Sequence, residues 1–196
     1  MKARKVNEES VKSNAKQEPD VWGSQDSFQC VFKVTDRIER WWPGISGSYP
    51  IGDSWLVCKN QTGLSGNLAN YVPAPLILVR GLPGSGKSKF AKELKLMGRA
   101  HFETDQFFYK RGKYVFDVKR IQEAHAWCLD LARRALKDGD PVVVSNTFVH
   151  KSTMTQYIQL DATTLILEMT GTWQNIHGVT DEVIAKMRDE WESLSF

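Results

Sequence analysis

The sequence predicts an α/β fold built on a doubly wound, mainly parallel sheet, with a small β-rich appendage before it. Three observations lead to that expectation. Apolar runs too short for helices recur at 76–79 (LILV), 141–145 (PVVVS) and 164–168 (TLILE), and unbroken runs of that length suit strands covered on both faces. Stretches with helical periodicity separate them. A glycine-rich segment, 81–88, lies where the first run ends and a helix-forming segment begins.

The elements follow in order. Residues 87–97 read as a helix and 101–103 as a short strand. Asp117 is placed to cap a long helix whose apolar face includes Ile121, Ala124, Cys128, Leu131, Ala135 and Leu136, ending near Gly139. Ser152 is placed to cap a short helix, and Thr180 opens a last helix that reaches about Glu192.

The first third of the chain has a different texture. Residues 1–20 are Lys-, Glu-, Ser- and Asn-rich with little to bury, which predicts a disordered tail. Over 21–73, Trp22, Phe28, Phe32, Trp41, Trp42, Trp55 and Tyr71 are scattered among Gly, Pro, Ser and Asn. Short strands at 29–34 and 54–59, with turns at 43–44, 52–53 and 62–63, describe this stretch best. Residues 74–196 then form the main domain. The aromatics of 21–73 suit either the core of a small module or a stacking surface for bases or a proline-rich peptide.

Bulk properties narrow the function classes. The 196 residues carry a net charge of +3, too small to mark a nucleic-acid-binding surface by itself. Cys30, Cys58 and Cys128 are odd in number and far apart in sequence, with no Cys/His cluster. That argues against a disulfide scaffold or a zinc site and fits a reducing compartment. No apolar run reaches membrane-spanning length, and the N-terminus has no secretory core, so a cytoplasmic protein without a membrane partner is expected.

The segment Gly81-Leu82-Pro83-Gly84-Ser85-Gly86-Lys87-Ser88, followed by Lys89, fits GxxxxGK[ST] throughout. Glycines let the backbone curl so that successive N–H groups point at phosphate oxygens. The following helix presents its positive N-terminus to the same anion. Lys87 then reaches the β- and γ-phosphates and the Ser88 hydroxyl ligates Mg²⁺. The expected ligand is ATP with Mg²⁺, and the expected fold class is that of a P-loop NTPase.

The segments LILVRGLPGSGKSKFAKEL, HFETDQFF, GKYVFDVKRIQEAHAWC, PVVVSNTFVHKSTMTQY and QNIHGVTDEVIAKMRDEWE follow one another over 76–192. Together they are similar to AAA-type P-loop kinases allied to phage polynucleotide 5′-hydroxyl kinase and its animal relatives. The resemblance implies an ATP-dependent phosphotransferase, with a nucleic-acid 5′-hydroxyl, a nucleoside or another small metabolite as acceptor. It also implies that Asp105 draws the proton from the accepting hydroxyl, a role a carboxylate at a strand end beside the γ-phosphate can fill. A helix N-cap is the plainer alternative. Phe107, Phe108 and Tyr109 either line the acceptor site or belong to the core.

This sequence departs from the family pattern in several places. A second Asp after the base is replaced by Gln106, and the acid expected near the end of the 142–144 strand is matched by Asn146. Mg²⁺ would then be held by Ser88, phosphate oxygens and water, aided by Asp105. Asn146 either hydrogen-bonds the acceptor or a metal-bound water, or closes a turn. The lid stretch 170–178 (TGTWQNIHG) has no Arg or Lys, and its chemically interesting members are Trp173, Asn175 and His177. Asn175 and His177 match the family's NIHG and would contact nucleotide or phosphate, His177 being otherwise a surface turn residue. Cationic help must come from Lys87, or from Arg111 and Lys113 after Asp105.

A rival reading is an ATP-binding switch or interaction module with weak or no transfer, whose partner is recognised by 21–73. Residues 55–75 (WLVCKNQTGLSGNLANYVPAP) resemble the second half of a Src-homology type 3 barrel. The alternative there is a plain β appendage packed on the main domain.

Overall fold

The computed structural model describes residues 29–34 and 51–59 as backbone, and residues 74–160, 163–175 and 178–194. The expected tail at 1–20, the turns at 43–44 and 62–63, and His177 lie outside the described residues.

A six-stranded sheet organises the described residues, in the order β1 (Gln29–Val34), β2 (Ile51–Lys59), β8 (Thr164–Met169), β3 (Leu76–Arg80), β7 (Val142–Ser145) and β4 (Ala100–Phe102). Its parallel part comprises β3 (Leu76–Arg80), β4 (Ala100–Phe102), β7 (Val142–Ser145) and β8 (Thr164–Met169). In the middle, β3 is in register with β7 from Leu76↔Val142 to Val79↔Ser145, and with β8 from Leu76↔Thr164 to Arg80↔Glu168. Edge strand β4 pairs with β7. All five residues of β3 are buried, which is why that run has no polar alternation.

Successive side chains of a strand face opposite ways. Leu76 and Leu78 join Val142, Val144 and Ile166 in one core layer with α2 (Ile121–Lys137) and α3 (Lys151–Ile158). The alternating positions Ile77, Val79 and Val143 are equally buried, and α1 (Lys87–Leu96) buries Phe90, Ala91 and Leu94. On α2 the buried line is Ala124, Cys128, Ala132 and Ala135, so Ala132 takes the place expected of Leu131. Small side chains on that line let the helix approach the sheet closely, leaving Leu131 partly exposed on the flank.

The first two strands lie in the same sheet. β1 (Gln29–Val34) pairs antiparallel with β2 (Ile51–Lys59), which pairs antiparallel with β8. Their register sets Cys30 opposite Cys58. The turn expected at 52–53 is instead inside β2, where the pairing with β8 shifts register between Ile51 and Ser54. Glycine inside a strand often marks such an irregularity rather than a reversal.

Two helix ends also differ from expectation. Asp117 caps through its carboxylate, accepting from Lys119 N–H at 3.0 Å, but it caps a 3₁₀ turn at Val118–Arg120 that leads into α2. Ser152 is inside α3, which starts at Lys151 after His150. The exposed Lys151 N–H is satisfied from a distance by the Glu192 carboxylate at 2.6 Å. Glu192 is available because α4 (Asp181–Asp189) stops before it. Its backbone N–H donates to Val149 O, and its carbonyl accepts from Arg80 Nη2 at 3.0 Å. The Arg80 guanidinium also lies 3.9 Å from the Trp191 ring centroid, so the chain after α4 is folded back onto the end of β3.

Replacing Leu78 by Ala at the sheet centre should cost about 2–5 kcal/mol, lowering the urea midpoint with little change in slope. Leu96, 89% exposed at the end of α1, provides the contrast: Leu96→Ala should stay within about 0.5 kcal/mol of wild type.

Candidate functional site

Parallel pairing brings the carboxyl ends of β3, β7, β4 and β8 to one edge of the sheet, where open α/β sheets bind ligands. The phosphate loop leaves β3, Asn146 follows β7, Glu103 and Asp105 follow β4, and the 170–175 stretch follows β8.

The loop is held by its own backbone. Gly81 N–H donates to Thr147 O, Ser85 N–H to Leu82 O, and Phe90 N–H to Gly86 O. Gly84 and Gly86 adopt φ values of 81° and 88°, the left-handed region that glycine enters without a Cβ penalty. Space dictates glycine there as well. A Cβ on Gly84 would strike the Trp173 carbonyl, and one on Gly86 would strike the Trp173 ring. Trp173 also donates its backbone N–H to Gly84 O at 2.8 Å. Trp173 as a whole is 52% exposed, and its ring rests on Gly86 and Gly171.

Lys87 folds back across the loop, with Nζ donating to Leu82 O at 3.2 Å. Burial pulls its ammonium below the usual lysine range, while the charges of Glu103 and Asp105 pull it back up. Both carboxylates therefore act on the same lysine.

Glu103 is the principal residue that sequence reasoning missed. Its Oε1 accepts from Ser145 Oγ at 2.6 Å and lies 3.0 Å from His101 Nε2. His101 Nε2 is also 2.9 Å from Ser145 Oγ, and Glu103 shares the lining of one cleft with Ser88. Burial pushes the Glu103 carboxyl up, but the hydrogen bonds from His101 and Ser145 outweigh it and bring it down to about 2. A signal was present in HFETDQ: His101 and Glu103 are two apart across a strand end, hence on one face.

Asp105 lies on a 3₁₀ turn, Thr104–Phe108, that begins where β4 ends. Asn146 organises that turn. Its Oδ1 accepts from Thr104 N–H at 2.9 Å, and its Nδ2 faces Cys128 Sγ at 3.9 Å. His125 Nδ1 is 3.2 Å from Thr104 Oγ1. Tyr114, also missed, donates its hydroxyl to Asp105 Oδ1 at 3.2 Å. Burial first, and the Asp105 charge second, raise that phenol to about 12, so it stays a donor at neutral pH.

The aromatic run divides between core and surface. Phe108 is buried, Phe107 packs edge-on against Phe108 and Trp127, and Tyr109 is exposed. Arg111 and Lys113 belong to the hairpin formed by β5 (Tyr109–Lys110) and β6 (Lys113–Tyr114). Arg111 and Gly112, at φ 49° and 79°, form its two-residue turn, and both cationic side chains are exposed. Asn175 bonds Val179 through both ends of its amide, closing the approach to α4. A cleft of about 220 Å³ opens beside the loop, lined by Ser88, Lys92, Lys95, His101, Glu103, Gln106 and Tyr109.

Among the described residues no group of three or more His, Cys, Asp or Glu side chains forms a metal cage. The donors present, the Ser88 hydroxyl and nearby carboxylates, are hard oxygen ligands. They fit Mg²⁺, which keeps several waters and relies on substrate phosphates for the rest of its shell.

A family model described as an AAA domain matches residues 76–165, a span that contains the phosphate loop and the parallel strands. The fold is that of a P-loop NTPase. Human NEDD4-binding protein 2 is 34% identical over 139 residues, 63% of this chain, and the chain spans 8% of that protein's length. A crystal structure of a gluconokinase from Sinorhizobium meliloti 1021 covers 60% of this chain and 74% of its own, with a TM-score of 0.43 and 18% identity. Residues 76–165 are thus similar to an AAA domain and carry the phosphate loop. Among the described residues, no helix is long and apolar enough to cross a membrane.

Two predictions follow from this geometry. Gly86→Ala forces a Cβ into Trp173 at a left-handed residue, so titration calorimetry should find nucleotide affinity reduced about fivefold or more, given strain of about 1–3 kcal/mol. The second concerns acid. The folded-state pKa of Glu103 is depressed, so its stabilisation is complete above the ordinary carboxylate value and is lost as pH falls from 4.5 towards 2. Urea midpoints measured down that range should fall more steeply for wild type than for Glu103→Gln.

Proposed function

We propose that this chain is an ATP-dependent phosphotransferase that moves the γ-phosphoryl group to a hydroxyl acceptor. The convergence of the phosphate loop, Lys87 and Asp105 at one end of the parallel sheet carries the reading. The loop's N–H groups and the α1 N-terminus hold the triphosphate, and Lys87 neutralises charge between its β- and γ-phosphates. Mg²⁺, held by Ser88 and aided by Asp105, would add charge neutralisation on the phosphate oxygens.

Asp105 takes the proton of the acceptor O–H as that oxygen forms its bond to the γ-phosphorus. The bond from that phosphorus to the β,γ-bridging oxygen breaks, and ADP leaves with the electron pair. Tyr114 and Asn146 act on Asp105, one by a hydrogen bond to its carboxylate and the other by fixing the turn that carries it. Arg111, with Lys113, is a candidate for the acceptor's approach, and Asn175 and His177 are candidates for the lid. The similarity of 76–192 to polynucleotide kinases favours a nucleic-acid 5′-hydroxyl as acceptor, with a nucleoside or small metabolite as the alternative. The cysteine pattern favours the cytoplasm.

One observation favours a second reading. Trp173 lies on the phosphate loop in a lid without Arg or Lys, as suits an ATP-binding switch with little or no transfer. In that case 21–73 would be a partner-binding module for a peptide, protein or nucleic acid.

Incubation with γ-labelled ATP and Mg²⁺ against 5′-hydroxyl DNA, 5′-hydroxyl RNA and nucleosides separates the two. Label should appear on one acceptor, vanish with Lys87→Ala and fall about 100-fold or more with Asp105→Asn. Full transfer by the Asp105 variant would remove it as the base. ATP binding without label on any acceptor would support the switch.

A further inference from the structure

We infer that β5, β6 and the residues that follow them to Arg120 form a docking surface for single-stranded nucleic acid, whatever its base sequence. Which end of the strand meets Asp105 rests on the phosphotransferase reading above; the docking does not.

Charge is concentrated on this segment. The whole chain carries +3, yet residues 109–120 (YKRGKYVFDVKR) hold five Lys or Arg side chains against Asp117 alone, a net +4. The rest of the chain therefore nets −1 (3 minus 4), and a polyanion responds to the local distribution of charge, not to the total. Pairing sets Lys110 directly opposite Lys113, with Arg111 in the turn between them. Like charges opposed across a ribbon are destabilising, and a phosphate beside them would relieve the repulsion. Nearby acids do not do so from within the hairpin, since 106–116 contains no Asp or Glu. Arg120 is bonded to Glu123 and lies over the Phe107 ring, so phosphate contacts fall to the exposed Lys110, Arg111, Lys113 and Lys119.

Rings occupy the other face of the ribbon. Tyr109 and Tyr114 are cross-strand partners with centroids 5.3 Å apart, and successive residues alternate in face, which sets the two lysines behind them. Phe116 is nearly parallel to Tyr114, at 16° and 6.5 Å, and packs on buried Phe108 at 5.0 Å. Tyr109 and Phe116 are nonetheless 53% exposed, beside exposed Val115 and Val118. Single exposed apolar residues are ordinary, but a contiguous aromatic group bordered by cations marks a partner surface. These rings are also fixed in place, because Val115 N–H donates to Phe108 O at 2.9 Å and the Tyr114 hydroxyl donates to Asp105. Side chains already ordered lose little entropy when a partner binds.

A partner with flat aromatic groups on an anionic backbone matches both faces of the ribbon at once. Bases stack on such rings whatever their identity, while phosphates meet the cations. An acidic peptide would answer the charge and leave the rings uncovered, and a duplex keeps its base faces in its own stack. The Tyr114–Asp105 contact, at 3.2 Å, joins the surface to the proposed catalytic base. A strand with its 5′-hydroxyl at Asp105 thus lays its next nucleotides over Tyr114 and Phe116, and a nucleoside has none to lay there.

Fluorescence anisotropy of the full chain with labelled mixed-sequence 5′-hydroxyl single strands of about ten nucleotides, within the usual site size, tests the surface without ATP. Wild type should bind the single strand more tightly than its blunt duplex. Phe116→Ala should weaken binding about fivefold or more, the equivalent of about 1 kcal/mol or more per stacked base, with the salt dependence unchanged. Tyr109→Ala should act in the same way, and it serves where Phe116→Ala does not fold. Lys113→Ala should instead reduce the slope of log affinity against log salt by about 0.7. Unchanged affinity in every ring variant that folds, tighter binding of the duplex, or displacement by polyglutamate as effective as by unlabelled strand would overturn the inference. Label transfer to nucleosides by a chain that binds no strand would overturn the docking surface and leave phosphotransfer standing. Strand binding that needs the rings, with no transfer to any acceptor, would support the surface and count against phosphotransfer.

Discussion

In-register parallel pairing of β4, β7, β3 and β8 is the constraint on which the rest of the molecule depends. Because these strands run the same way, four separate segments of the chain end at one edge of the sheet. Backbone N–H groups, a lysine, two carboxylates and an asparagine meet there although they lie up to 65 positions apart in sequence (146 minus 81). A one-residue slip of β4 against β7 would turn His101 and Glu103 to the opposite face. Full burial of the β3 and β7 runs holds the register in place, since slippage would exchange both of their packed faces.

The polar groups at that edge form linked layers. Asn146 pins the turn that carries Asp105, while Ser145, its neighbour in sequence, pins Glu103. The last residue of β7 and the one after it thus position the two carboxylates that follow β4. Tyr114 returns from the hairpin to bond Asp105, and Lys87 lies within the field of both acids. Such interdependence is expected where buried polar groups must all be satisfied, because an unpaired member costs more than a paired one contributes.

The same logic applies away from the phosphate edge. Arg80 is fully buried at the end of β3, and burial, offset in part by Glu168 and Glu192, lowers its pKa to about 10. The segment after α4 surrounds it with the Trp191 ring and the Glu192 carbonyl, and the Glu192 carboxylate caps α3. The short stretch after α4 therefore joins β3 and α3 through contacts that no local propensity would reveal.

Much of this was legible in the residues themselves. Unbroken apolar runs marked β3, β7 and β8, because a parallel strand covered on both faces has no polar alternation. The spacing of 81–88 marked the phosphate loop, because that backbone path needs glycine at set positions. Helix limits at Ser152 and Glu192 were misjudged because a capping partner can be a carboxylate about forty residues away, as Glu192 is for Lys151 (192 minus 151). The gathering of Glu103 with Ser88 and Ser145, the covering of Gly86 by Trp173, and the extension of the sheet by β1 and β2 were decided by tertiary structure alone. Local sequence sets which backbone path a segment can take, whereas the partner of a buried charge or an unpaired strand edge depends on which distant segments the packed core brings beside it.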